Sequence, residues 1–265
     1  YTLSLHDALP IFGLMGKHIA AGEGVPLFFY GQHYGGGHVI EALGAALWRT
    51  LSPGPSPAAV HAVPVLFSVA LVMLVYFFMR SRYGLRAGLT AALLLSFSTP
   101  FLESSLKADG YIETIFFGVL AWVLLLKSEN AVDSGKNSTA IASAAATGAA
   151  LGLAVWSYDF ALIYAVVLVP LAFRKVLLDP LRAIAFVAGG LLGAAPAIAD
   201  NILHDFAHIK HLVSAGPGGV QSLSALASNA AELFTAFLPA FFTSDSVHNF
   251  VLPAPWYGWV WYIAV

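Results

Sequence analysis

The 265-residue sequence contains no cysteine. Disulfides and thiolate metal sites are therefore excluded. Charge is also scarce. Asp, Glu, Lys and Arg make up 10% of the chain, against roughly 25% in soluble domains, too few to cover a water-facing surface. The net charge is −2, so the chain lacks the basic field that nucleic acid requires, and no nucleic-acid partner is expected. What fills the chain instead is apolar. Hydrophobic residues reach 59% and the mean hydropathy is +0.80. They run in long stretches rather than alternating, which argues against an outer-membrane barrel or a doubly wound enzyme. The expected fold class is all-α: a polytopic transmembrane helix bundle with interfacial amphipathic helices on its outer face.

Tyr1–Ile11 (YTLSLHDALPI) has no basic leader and no long apolar core, so it does not read as a signal peptide. It reads as an adaptor-like, non-native stretch, leaving 12–265 as a single membrane domain expected to be truncated at both ends. Gly13–Gly24 has helical apolar spacing and ends in glycine. Val39–Leu51 reads as an amphipathic helix with Ile40, Leu43, Leu47 and Leu51 on one face. Ser52–Pro57 (SPGPSP) is a break. Spans near the ~20 residues a bilayer needs follow: Ala58–Met79, Ala87–Phe101, Tyr111–Leu126, Thr139–Trp156, Phe160–Phe173 and Ala183–Ala199, with another starting near Trp256. Leu223, Leu226, Ala230, Leu233 and Phe237 suggest a further helix lying on the membrane.

The loops carrying Arg80, Arg82, Arg86, Lys127, Lys136, Arg174, Lys175 and Arg182 hold most of the twelve basic residues. The positive-inside rule makes these loops cytoplasmic. Most acids then fall at the opposite, outer face, including Glu41, Glu103, Asp109, Glu113, Asp159 and Asp200. Any chemistry is expected there, in a multi-pass protein of the cytoplasmic membrane.

Three constellations stand out. The first is Phe28–Glu41 (FFYGQHYGGGHVIE), where Gln32, His33, Tyr34, His38 and Glu41 gather around three glycines that let the backbone approach a ligand. It reads either as a substrate loop or as a flexible surface loop. Glu41 opens a helix, where its charge also suits the positive dipole end. The second is Ser105–Glu113 (SLKADGYIE). Asp109 and Glu113 are four apart, hence on one helical face, and Glu113 lies in an apolar span, where a carboxylate is costly and marks a candidate site. Neighbouring carboxylates hinder each other's ionisation, which suits a general base. Lys107 adds a cation suited to phosphate. A charged loop end reaching into water is the plainer reading. The third is Trp156–Phe160 (WSYDF), either a sugar contact through Asp159 or an interfacial aromatic belt. His204, His208 and His211 fall near one helical face, but no further ligand is identifiable, so no metal site is assigned.

VPLFFYGQHYGGGHVIEA at Val25–Ala42 and LKADGYIETIFFG at Leu106–Gly118 resemble bacterial membrane glycosyltransferases of the GT-C superfamily, close to the protein-mannosyltransferase, aminoarabinose-transferase and Rgt-like families. The likeness runs over about Gly13–Leu126. It implies an enzyme of the cell envelope. A sugar passes from a polyprenyl-phosphate donor, itself a substrate, to an extracytoplasmic acceptor (glycolipid, polysaccharide or protein). It also implies a first-loop acid shortly before Gly13, where Asp7 stands, and a second acid at the head of a later span, Glu113 with Asp109 beside it. Glu41 would join this acidic site. Gln32, His33, Tyr34, Lys107 and Tyr111 would bind substrate. A transporter or flippase for a lipid-linked sugar is the alternative. A non-catalytic membrane scaffold is a third reading.

Overall fold

The computed structural model describes residues 5–30, 39–51, 57–107 and 110–214. Among these residues all regular structure is helical. Helix α1 spans Leu5–Ala20 and α2 spans Val39–Leu51. The long α3 is Pro57–Tyr83, followed by α4 (Leu85–Ser96) and α5 (Thr99–Leu106). Next come α6 (Tyr111–Asp133) and α7 (Asn137–Ser157). A single 3₁₀ turn at Asp159–Ala161 leads into α8 (Leu162–Ala172), then α9 (Pro180–Gly193), α10 (Ala195–Leu203) and α11 (Ala207–Ser214). Among the described residues three helices are long and apolar enough to cross a membrane: Ala58–Tyr83, Tyr111–Asp133 and Asn137–Ser157. The number rises to five if each of two bent pairs counts as one span.

The bent pairs differ from the straight spans expected over Ala87–Phe101 and Ala183–Ala199. Helices α4 and α5 meet at 66°, and α9 and α10 at 60°. Proline explains both. Pro100 and Pro196 stand in the first turns of α5 and α10. Proline lacks an N–H and its ring clashes with the carbonyl four residues back, so it starts a helix well and continues one poorly.

Helices α7 and α9 pack through glycine. Gly148 and Gly152 face Gly189, Gly190 and Gly193, and a Cβ on Gly148 would overlap the Phe186 carbonyl, just as one on Gly193 would overlap that of Ala149. Two small-xxx-small motifs thus bring the backbones into contact, the packing mode favoured where lipid removes the hydrophobic drive between helices. Leu125, Ala144, Leu151, Leu168 and Phe186 fill the adjoining core. Large apolar side chains point outward instead: Leu66, Val166, Ile184 and Leu192 are all exposed. A surface of this kind suits lipid rather than water.

The same rule holds for the apolar face of α2. Leu47 is 63% exposed and Leu51 78%, so the large apolar residues look outward. The buried side carries Ala42, Ala45 and Ala46, against which Gly16 of α1 sits too closely for a side chain. Gly44 meets Val63 of α3 in the same way. Phe12, Met15, Phe29 and Val39 complete this cluster.

Helix order sets two ends. The Lys175–Asp133 ion pair at 2.8 Å and the 2.9 Å bond from Ser128 Oγ to the Ala140 carbonyl mark the end that carries the basic loops. The starts of α3 and α6 and the ends of α5 and α7 form the other. There His61 Nδ1 lies 2.9 Å from the Leu106 carbonyl oxygen, and the Ser68 and Ser105 hydroxyls meet at 2.8 Å.

Candidate functional site

Two short helical starts build the site. Gly110 takes a left-handed conformation (φ 72°) and caps α6, a backbone region that a side chain would strain. Tyr111 and Ile112 follow, so Glu113 is the third residue of α6. Val39 and Ile40 open α2, so Glu41 is likewise its third residue. Both carboxylates are about 1% exposed. They line one cleft, together with Val39, Ile40, Gly110, Trp156 and Ser157. Glu41 and Glu113 are 72 positions apart in sequence, yet the α1–α2 pair and the α6–α7 pair bring them together.

Burial of two carboxylates is costly, and helix geometry offsets part of that cost. The first turn of each helix presents backbone N–H groups with no partner inside the helix, and the dipole there is positive. Each glutamate occupies the turn where that field is strongest. The cleft has essentially no room for even a water-sized sphere, far below the roughly 300–1,000 Å³ usual for ligand pockets.

One side of the cleft is held by discrete polar contacts. Trp156 Nε1 donates to the Leu27 carbonyl at 3.2 Å. Three residues further on, Asp159 Oδ1 lies 2.6 Å from His208 Nε2 of α11. The ring of Phe28 meets that of His208 edge-on, with centroids 5.3 Å apart. Asn201 accepts from the Ile209 N–H through its side-chain oxygen at 3.2 Å and fixes the corner between α10 and α11. That corner has two consecutive non-glycine residues with positive φ, Asp205 (51°) and Phe206 (57°), a strained conformation.

The expected residues divide into three groups. Glu41 and Glu113 come together. Lys107 and Tyr111 stand at the same end but outside the cleft lining: Lys107 pairs with Glu103 at 3.7 Å, and the Tyr111 ring packs on Tyr158 with centroids 4.9 Å apart. Gln32, His33, Tyr34 and Asp109 lie outside the described residues, as does the expected surface helix around Leu223–Phe237. Asp7 falls within α1, but its side chain is outside the description.

The histidine run is not one helical face. His204 follows the end of α10 and lies 3.0 Å from Asp200, whereas His208 belongs to α11 and meets Asp159. Among the described residues no group of three or more His, Asp or Glu side chains is arranged to hold a metal ion. Sequence reading missed Trp156 and Ser157 as neighbours of Glu41, and missed the Asp159–His208 pair. An aspartate beside aromatics at a span end was visible, but nothing local in sequence designates a partner 49 residues away.

Comparison with known proteins finds no family model, no curated protein and no solved structure that matches this chain.

Proposed function

We propose that the protein is a glycosyltransferase of the cytoplasmic membrane that moves a sugar from a polyprenyl-phosphate donor to an extracytoplasmic acceptor (a glycolipid, polysaccharide or protein). The observation that carries this reading is the convergence of Glu41 and Glu113, both buried, at the bundle end opposite the basic loops. One carboxylate takes the proton from the acceptor hydroxyl as its oxygen attacks the anomeric carbon. The bond from that carbon to the donor phosphate breaks, and the phosphate leaves with the electron pair. The second carboxylate stabilises positive charge developing on the sugar ring. Trp156 supplies an aromatic surface for the sugar. Asp109 extends the acidic acceptor side, with Asp7 as the acid that precedes Gly13. Lys107 exchanges Glu103 for the donor phosphate, and Gln32, His33, Tyr34 and Tyr111 bind substrate oxygens.

The test is Glu113→Ala, assayed in membranes with a labelled polyprenyl-phosphate sugar. The expected loss is about 10²–10⁴-fold, the usual contribution of a general base, with the protein still present in the membrane. Retained transfer would sink the assignment.

The two broken helices favour a second reading. Transporters build substrate sites from interrupted helices, and α4–α5 and α9–α10 are both interrupted. A flippase for a lipid-linked sugar moves the intact donor across the bilayer and leaves its phosphate–sugar bond unbroken, so recovery of the intact donor on the opposite face discriminates between the two.

A further inference from the structure

The cleft is narrower than a ligand needs, so binding requires a wall to move. Glu41 and Glu113 sit on helices packed into the bundle. Trp156 lies where three separate segments are pinned together: Leu27–Phe28, the 3₁₀ turn at Asp159–Ala161, and α11. The pins are few. Trp156 bonds to the Leu27 carbonyl, Phe28 packs on the His208 ring, and His208 meets Asp159 at 2.6 Å. His208 is only 5% exposed, so this short contact is shielded from water and stronger than a surface pair. The Asp205–Phe206 corner stands directly before α11, which Asn201 also ties to α10 through the Ile209 N–H.

We infer that Asp159 and His208 form a latch that holds the Trp156 wall of the carboxylate cleft closed, and that its release opens the cleft to ligand. The pair acts by position and does not touch the reacting atoms. This rests on reading the cleft as a ligand site, but its test does not depend on transfer activity.

The absence of cysteine makes that test free of background. Ser157 lines the cleft and is buried, so Ser157→Cys reports opening through its rate of reaction with a small, charged methanethiosulfonate. Ser128→Cys, buried against α7 at the other end, reports the integrity of the bundle. In the full chain, His208→Ala should accelerate labelling at position 157 by about tenfold or more, as expected when a buried, charge-assisted hydrogen bond is lost. Labelling at position 128 should stay unchanged. Asp159→Asn keeps a hydrogen-bonding group and loses the charge, so it should give an intermediate rate. Equal rates at position 157 with and without His208 would overturn the latch. So would parallel acceleration at both positions, which would make the pair a general fold element. A latch that opens as expected in a protein that transfers no sugar would count against the enzymatic reading alone.

Discussion

The α7–α9 seam and the Glu41–Glu113 cleft are built from opposite material. At the seam, Gly148, Gly152, Gly189 and Gly193 remove side chains so that backbones touch. At the cleft, two carboxylates are buried where apolar groups would cost less. The seam gains dispersion contacts and asks for nothing polar. The cleft instead carries the cost of burying two carboxylates, and the proposed function assigns that pair to chemistry or binding. The seam should therefore fail structurally when altered, and the cleft functionally.

The largest structural effect should come from Gly148→Leu. Its side chain would enter the Phe186 carbonyl, and overpacking typically costs about 1–3 kcal/mol, sometimes more. Thermal unfolding in detergent should show a marked loss of stability, with α7 and α9 separating first. An unchanged unfolding temperature would contradict the seam. Ser128→Ala comes next. It removes the hydroxyl that bonds the Ala140 carbonyl between α6 and α7, and the same unfolding assay should register about 0.5–1.5 kcal/mol. Lys175→Ala should be smaller still. Its pair with Asp133 is about half exposed on both sides, and such pairs contribute roughly 0–1 kcal/mol. Glu113→Gln sharpens the contrast from the other side. It replaces the carboxyl group with an amide at nearly constant shape, so stability should hold while function is lost. A large drop in stability would make Glu113 a structural residue.

Much of this architecture was legible in the sequence. Helix α2 begins and ends at the residues expected, α3 and α7 extend the expected spans by a few residues, and α6 runs about two turns past Leu126 to Asp133, because hydropathy falls off before helical hydrogen bonding does. Pro100 and Pro196 were visible, yet hydropathy averages over a window and passes straight through a bend. The shared face of Leu43, Leu47 and Leu51 on α2 was legible from spacing; that it is the exposed face, with Ala42, Ala45 and Ala46 turned inward, needed the packing against α1 and α3. The two glycine pairs at spacing four were equally visible, and only their mutual register needed three dimensions. Glu113 was legible because a carboxylate in an apolar run is costly wherever it occurs. Its meeting with Glu41, and the Asp159–His208 contact, come from helices packed across long stretches of chain, which local pattern does not encode.

The most direct test of the central claim is a double-substitution cycle in a transfer assay with labelled donor, comparing Glu41→Gln, Glu113→Gln and both together. Residues that act as one unit are strongly non-additive. The account predicts that each single change removes most of the transfer and that the double change is scarcely worse than the more severe single one. Independent, multiplying losses, or full activity with either glutamate replaced, would show that the two carboxylates do not form one site.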